Sequence, residues 1–156
     1  MPPAAWRPEA ALLVKVLALE PAHHLQRREV IDRLWPLVPP RDAEALLKRG
    51  LKDACKAMLD GRAITVEGER LRLWPHGDLS VDAHTFAAKA KHAKLREQRQ
   101  EATALYRGDL LPDEELPGLS ALRTRMRLMH LELLRDPDSG TPSWVDLREP
   151  VFSATV

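Results

Sequence analysis

Residues 25–73 read LQRREVIDRLWPLVPPRDAEALLKRGLKDACKAMLDGRAITVEGERLRL, and their patterning decides the expected fold. Arg27 to Leu34 reads as a short helix with Val30, Ile31 and Leu34 inward and Trp35 at its end. Pro36 and the Pro39-Pro40 pair form a rigid connector, because proline fixes φ and removes a donor. Asp42 suits the N-cap of a longer helix that continues to about Leu59, where Asp60-Gly61 ends it. Ala43, Leu47, Leu51, Ala54 and Met58 recur at helical spacing and predict the core face. Lys48, Lys52 and Lys56 stand one above another on the opposite side, with Arg49 beside them. Ile64, Val66, Leu71 and Leu73 then mark two short strands around Gly68, a residue free to take the positive φ of a tight turn.

Outward from this stretch, Pro8 to Leu19 predicts a first helix. Pro8 fits a first-turn position, and Leu12, Leu13, Val16 and Leu17 form its apolar stripe. Beyond the hairpin, a helical stretch runs from Ala83 to about Leu105, with Phe86, Ala90 and Ala93 on one face. Tyr106 to Pro112 is a compact turn segment, and Asp113-Glu114-Glu115 an acidic loop. The strongest helix spans Leu119 to Leu134, where Leu119, Leu122, Met126, Met129 and Leu133 repeat at alternating spacings of three and four. Trp144, Val145, Leu147, Val151 and Phe152 mark a tail or packed extension over 136–156.

Composition bounds the class. Apolar residues at 44% and charged residues at 30% describe a soluble globular chain, and aromatics at only 4% leave the core to aliphatic, helix-favouring side chains. The apolar run Ala10 to Val14 is too short to span a bilayer, no secretory leader is expected, and cytoplasmic residence follows. Cys55 is the single cysteine, so no internal disulfide or cysteine-rich metal site is expected. Residues 1–75 hold thirteen Lys/Arg against ten Asp/Glu, whereas 76–156 hold eleven against thirteen, which tilts the first half toward an anionic partner.

A helix fits the major groove of B-form DNA, and outward Lys and Arg reach phosphates or base edges. Lys48, Arg49, Lys52 and Lys56 are placed for this, with Arg70 and Arg72 flanking the hairpin turn. A lysine row is equally the pattern of a solvated face, Glu44 to Lys48 is an ordinary ion-pair spacing, and Asp53 would repel phosphate unless it pairs. No catalytic constellation emerges. His23-His24 lacks a ligand-spaced partner, Gly50 and Gly61 stand alone, and neither an enzyme nor a cofactor is expected.

Several segments, in order, resemble bacterial transcriptional activators of the antibiotic-regulatory type, which join an OmpR-like winged helix-turn-helix to a helical activator domain. Leu12-Leu13 through Leu19 is similar to the first helix of that family, and Arg27 to Trp35 to the second. Ile64 to Gly68 with Arg72-Leu73 is similar to the wing. Val81-Asp82 with Phe86, then Tyr106-Arg107-Gly108-Asp109-Leu110-Leu111-Pro112, and then Arg123 to Leu134 resemble the activator domain. The resemblance implies a mainly α chain. A winged helix-turn-helix over 8–75, lacking the N-terminal strand layer, would precede a shortened tetratricopeptide-like helical domain over 80–135. It implies a non-enzymatic, sequence-specific regulator that binds double-stranded DNA and contacts RNA polymerase, with a homodimer as a further expectation.

Departures from the family pattern shape a second expectation. Gln26 replaces the Ser or Thr that caps the second helix, a poorer cap by about 1 kcal/mol. Asp53-Ala54-Cys55 stands where an Arg-Leu-Arg contacts DNA, and Arg70-Leu71 replaces the Gly-Tyr of the wing. The interval from Phe86 to Tyr106 reads as one helix in place of two. The alternative is therefore an interaction or dimerisation module with little DNA binding, in which Arg123 and Arg127 face an acidic partner.

Overall fold

The computed structural model describes residues 6–135, so the expected tail over 136–156 lies outside the described residues. Helix α1 spans Pro8–Leu19, with Pro8 in its first turn and Glu9 at its positive end. Strand β1 covers His24–Gln26 and runs directly into α2, Arg27–Leu34. Helix α3 is Pro40–Ala57, followed by β2, Ile64–Glu67, and β3, Arg70–Leu73. Helices α4, Asp82–His92, α5, Arg96–Leu105, and α6, Leu119–Leu134, complete the described chain. The fold is mainly helical, with one small antiparallel sheet of strand order β1-β3-β2.

Strand β1 is absent from the sequence expectation. It places His24, Leu25 and Gln26 opposite Arg72, Leu71 and Arg70, which makes β3 the central strand. The hairpin sets Ile64 opposite Leu73 and Val66 opposite Leu71. Leu25, Ile64, Leu71 and Leu73 are buried together on one face, and Arg70 and Arg72 alternate onto the other. Gly68 turns the hairpin at φ 63. The inner face closes over α1 and α3, whose Ala10, Leu13, Leu17, Leu47 and Ala54 form the first core.

Gly50, which stands alone in the sequence, lies where α3 crosses α1. A Cβ there would meet the Glu9 carbonyl oxygen at 3.4 Å, so the two helices approach closely at this residue.

Two helix boundaries correct the sequence reading. Pro39, not Asp42, precedes α3, because Pro40 takes the first helical position, and Asp42 sits inside the positive first turn. At the far end the chain turns left-handed at Leu59, φ 55, and not at Gly61. The Asp60 N–H donates to the Cys55 carbonyl at 3.1 Å and the Leu59 N–H to that of Lys56 at 3.2 Å. These are the paired bonds of a Schellman ending, with leucine at the position glycine prefers. At α2 the Gln26 side chain makes no cap bond, but the Glu29 carboxylate accepts the Gln26 N–H at 2.9 Å.

The expected single helix from Ala83 to about Leu105 is two, α4 and α5. Ala93 leaves helical geometry, and Gln98 Oε1 accepts the N–H groups of Lys94 and Leu95 at 3.0 and 3.2 Å. The second helix thus carries its own cap. Phe86, Ala90, Ala102, Met126 and Leu133 pack α4, α5 and α6 into a second core. The Arg99 guanidinium closes that bundle by donating to the carbonyls of Glu132, Leu133 and Arg135 at 2.5 to 3.0 Å.

The cores share Leu110, which packs against both. Leu116 and Leu119, at the start of α6, join the first core, with Leu110 and Leu111 packed against it. Lys15 of α1 pairs with Glu114, and the His84 ring donates from Nε2 to the Leu19 carbonyl at 2.9 Å. Among the described residues no helix is long and apolar enough to cross a membrane.

Candidate nucleic-acid interface

Helix α3 packs against α1, α2 and β2, and these contacts account for one side of it. Its other side carries Lys48, Arg49, Lys52 and Lys56, all exposed. Arg41 and Ala45 extend the same surface toward the N-terminal end of the helix, and both are exposed. Arg41 lies ahead of the row of three lysines and joins this face only because the helix starts at Pro40.

Both acidic residues that the sequence set against this face are engaged elsewhere. Glu44 accepts from Arg27 Nε at 2.9 and 3.1 Å, so the Arg27 fork, and not Lys48, holds the carboxylate. That hydrogen bond from Arg27 lowers the Glu44 pKa, and Lys48 adds only a long-range contribution. Asp53 is partly buried and lies 3.5 Å from Arg7 Nε at the start of α1. Among the described residues no carboxylate forms an ion pair with Lys48, Arg49, Lys52 or Lys56.

The hairpin is a mixed surface. Arg70 is exposed but lies opposite Glu67 in the ladder, and Glu69 shares the turn with Gly68. Arg72 is half-buried between His24 and Thr65, and its Nε is buried without a hydrogen-bond partner, as is Thr65 Oγ1. The turn presents one reachable guanidinium, against two carboxylates.

The two arginines expected to face a protein partner are bound internally. Arg123 is 13% exposed, and its Nε donates to the Leu110 carbonyl at 2.7 Å. A terminal nitrogen of the same group donates to the carbonyls of Leu111 and Glu114. Arg127 pairs with Asp109, its Nε donating to Oδ1 at 2.6 Å. The hydrogen bond from Arg127, with a second from the Tyr106 hydroxyl, holds the Asp109 carboxyl down at about 2. Tyr106 in turn stacks on His130 with ring centroids 4.2 Å apart and leans on Phe86 at 5.4 Å. Its hydroxyl pKa is raised, first by burial and then by the bond to Asp109. The segment Tyr106 to Pro112 is therefore a clasp that folds over α6, with Arg123 and Arg127 as its two fasteners.

His23 stacks on His84 at 5.4 Å, and Cys55 lies 3.8 Å from the Ile64 carbonyl, beside the packed face of α3. Among the described residues no group of three or more His, Cys, Asp or Glu converges as metal ligands would. No protein-family model matches the sequence, and no curated protein matches it.

Proposed function

We propose that this chain is a DNA-binding transcription regulator built on a reduced winged helix-turn-helix, with α2 and α3 as the helix pair and β2–β3 as the wing. The observation that carries the reading is the outer face of α3, where Lys48, Arg49, Lys52 and Lys56 are exposed and their neighbouring acids are held by Arg27 and Arg7. A free basic helix face matches the shape and charge of a major groove. The separate α4 and α5 support it further, since the resemblance calls for two helices where the sequence reads as one; β1 follows α1 and is no part of the strand layer expected before it. The short, partly acidic wing contributes little, so α3 carries most of the contact. In this reading the partner is double-stranded DNA, the helical half holds RNA polymerase or a second copy, and no cofactor is needed.

The test is fluorescence anisotropy with a labelled duplex at salt concentrations from about 50 to 200 mM, because each phosphate contact adds close to one unit of salt slope. The variant carrying Lys48→Ala and Lys52→Ala is expected to bind more weakly and to lose about two units of that slope. Equal affinity and slope in variant and parent would remove α3 from the interface.

An interaction module is the second reading, favoured by Leu128, Leu131 and Leu134, which are exposed along α6. It predicts a stable oligomer without duplex binding, and sedimentation of a monomer at all concentrations would count against it.

A further inference from the structure

We propose that the groove beside the C-terminal half of α3 docks an acidic, amphipathic segment of a partner protein, which competes with nucleic acid for Lys52 and Lys56. The docking stands on the groove itself; the competition rests on the duplex reading above.

The groove has a volume of about 540 Å³ and is lined by Leu51, Lys52, Cys55, Lys56, Leu59 and Asp60, with Gly61 at its edge. Its apolar surface comes from Leu51, Cys55 and Leu59, and its cations from Lys52 and Lys56. The one carboxylate at its border, Asp60, already accepts the Arg62 N–H at 2.8 Å. Neither lysine has an ion-pair partner among the described residues.

Leu59 carries the argument furthest. Its backbone is left-handed at φ 55, a conformation strained for a residue with a Cβ relative to the right-handed one. Its side chain is 94% exposed, so no burial within the described chain offsets that strain. A glycine at the same place would close the helix without either penalty. Leucine gains there only from an apolar surface that the described residues do not supply. A duplex brings phosphates for Lys52 and Lys56 but leaves Leu51, Cys55 and Leu59 wet. A segment with apolar anchors on one face and Asp or Glu beside them satisfies both parts of the groove, in the manner of an amphipathic helix laid into a groove.

The test uses the full chain and three fluorescein-labelled synthetic peptides of about four helical turns. One places Leu and Phe at helical spacing among Glu and Asp; the second replaces the Leu and Phe with Ser; the third is polyglutamate. The first is expected to bind at least about tenfold more tightly than the other two, a difference of roughly 1.4 kcal/mol. Leu59→Gly, which relieves the backbone and keeps every lysine, is expected to weaken that peptide about tenfold while leaving duplex affinity within about twofold. Unlabelled duplex is expected to displace the peptide. Equal binding of the three peptides, or indifference to Leu59→Gly, would reduce the site to charge attraction and overturn the docking. A dimer that Leu59→Gly converts to monomer would make a second copy the occupant and also overturn it. Peptide binding that depends on Leu59 in a chain that ignores duplex would retain the docking and remove the competition together with the duplex reading. Duplex binding without peptide binding would do the reverse.

Discussion

On α3, Lys48, Lys52 and Lys56 follow one another at four-residue spacing; on α6, Arg123 and Arg127 do the same. The first row faces solvent without ion pairs, and the second closes over the 106–115 segment through carbonyls and Asp109. Two physical differences separate them. The guanidinium is a planar fork that bonds several oxygens at once, whereas ammonium is a compact, strongly hydrated charge that is easily left in water. The supply of acceptors also differs. A loop rich in carbonyls and acids arrives at α6 from the preceding chain, while Glu44 and Asp53 beside the α3 row are drawn away by Arg27 and Arg7. A basic row in a sequence thus states where cations are, and residues remote in sequence decide whether they are free.

The comparison breaks most sharply at Arg123. Arg123→Met keeps the length of the side chain but strands the carbonyls of Leu110, Leu111 and Glu114. It is expected to lower stability by about 2–3 kcal/mol in urea denaturation, the scale for a partly buried charged hydrogen-bond donor. Its α3 counterpart Lys52→Ala is expected to leave stability within about 0.5 kcal/mol, as exposed substitutions do. Similar losses for the two would dissolve the distinction between the rows. Next in size, Arg27→Met releases Glu44 to Lys48, four residues further along the same helix. Duplex affinity is then expected to fall about twofold to fivefold although no residue of the exposed face has changed, the range of a few tenths to one kcal/mol for such a pair. An unaltered affinity would mean that Glu44 never competes for that face. Leu59→Gly is expected to stabilise the chain by about 0.5–1 kcal/mol, because it removes left-handed strain and no burial; a loss of stability would show that Leu59 packs in solution.

The helices over Pro8–Leu19 and Arg27–Leu34 and the hairpin strands are legible because their signals are local: proline at a helix start, apolar spacing, glycine in a turn. The α6 stripe is legible too, although Leu119 joins one core and Met126 and Leu133 the other. What escapes reading depends on partners distant in the chain. Strand β1 has three residues, too few for an alternating pattern, and exists because β3 offers an unpaired edge. The break between α4 and α5 depends on Gln98 reaching back to two N–H groups, with no Ser, Thr, Asp or Asn to announce the cap. For the candidate site, the lysines were legible as a row, but their freedom was not. That freedom follows from Arg7 and Arg27, which lie outside the helix that carries them.

The smallest expected effect separates the rows by the variable that each one answers to. Contacts of the α3 face with phosphate depend on salt. The Arg127–Asp109 pair instead links stability to acid, because the folded Asp109 carboxyl titrates at about 2 against an ordinary value of 3.8. A carboxyl held low in the folded chain stabilises it above the unfolded pKa, and that stabilisation is lost as pH falls through the folded value. The window therefore runs from about pH 4 down to about pH 2. Arg127→Gln removes the largest cause of the shift and keeps the Tyr106 bond. Both groups of the pair touch solvent, so the effect is screened and small. Urea midpoints of parent and variant, taken at steps between pH 5 and pH 2, are expected to converge as pH falls, while duplex affinity at neutral pH stays the same. Glu44, also held low by an arginine, acidifies equally in both proteins and cancels in the difference. A gap between the two midpoints that is constant across the range would assign Arg127 to packing alone, leaving Arg123 as the only charged fastener of the clasp.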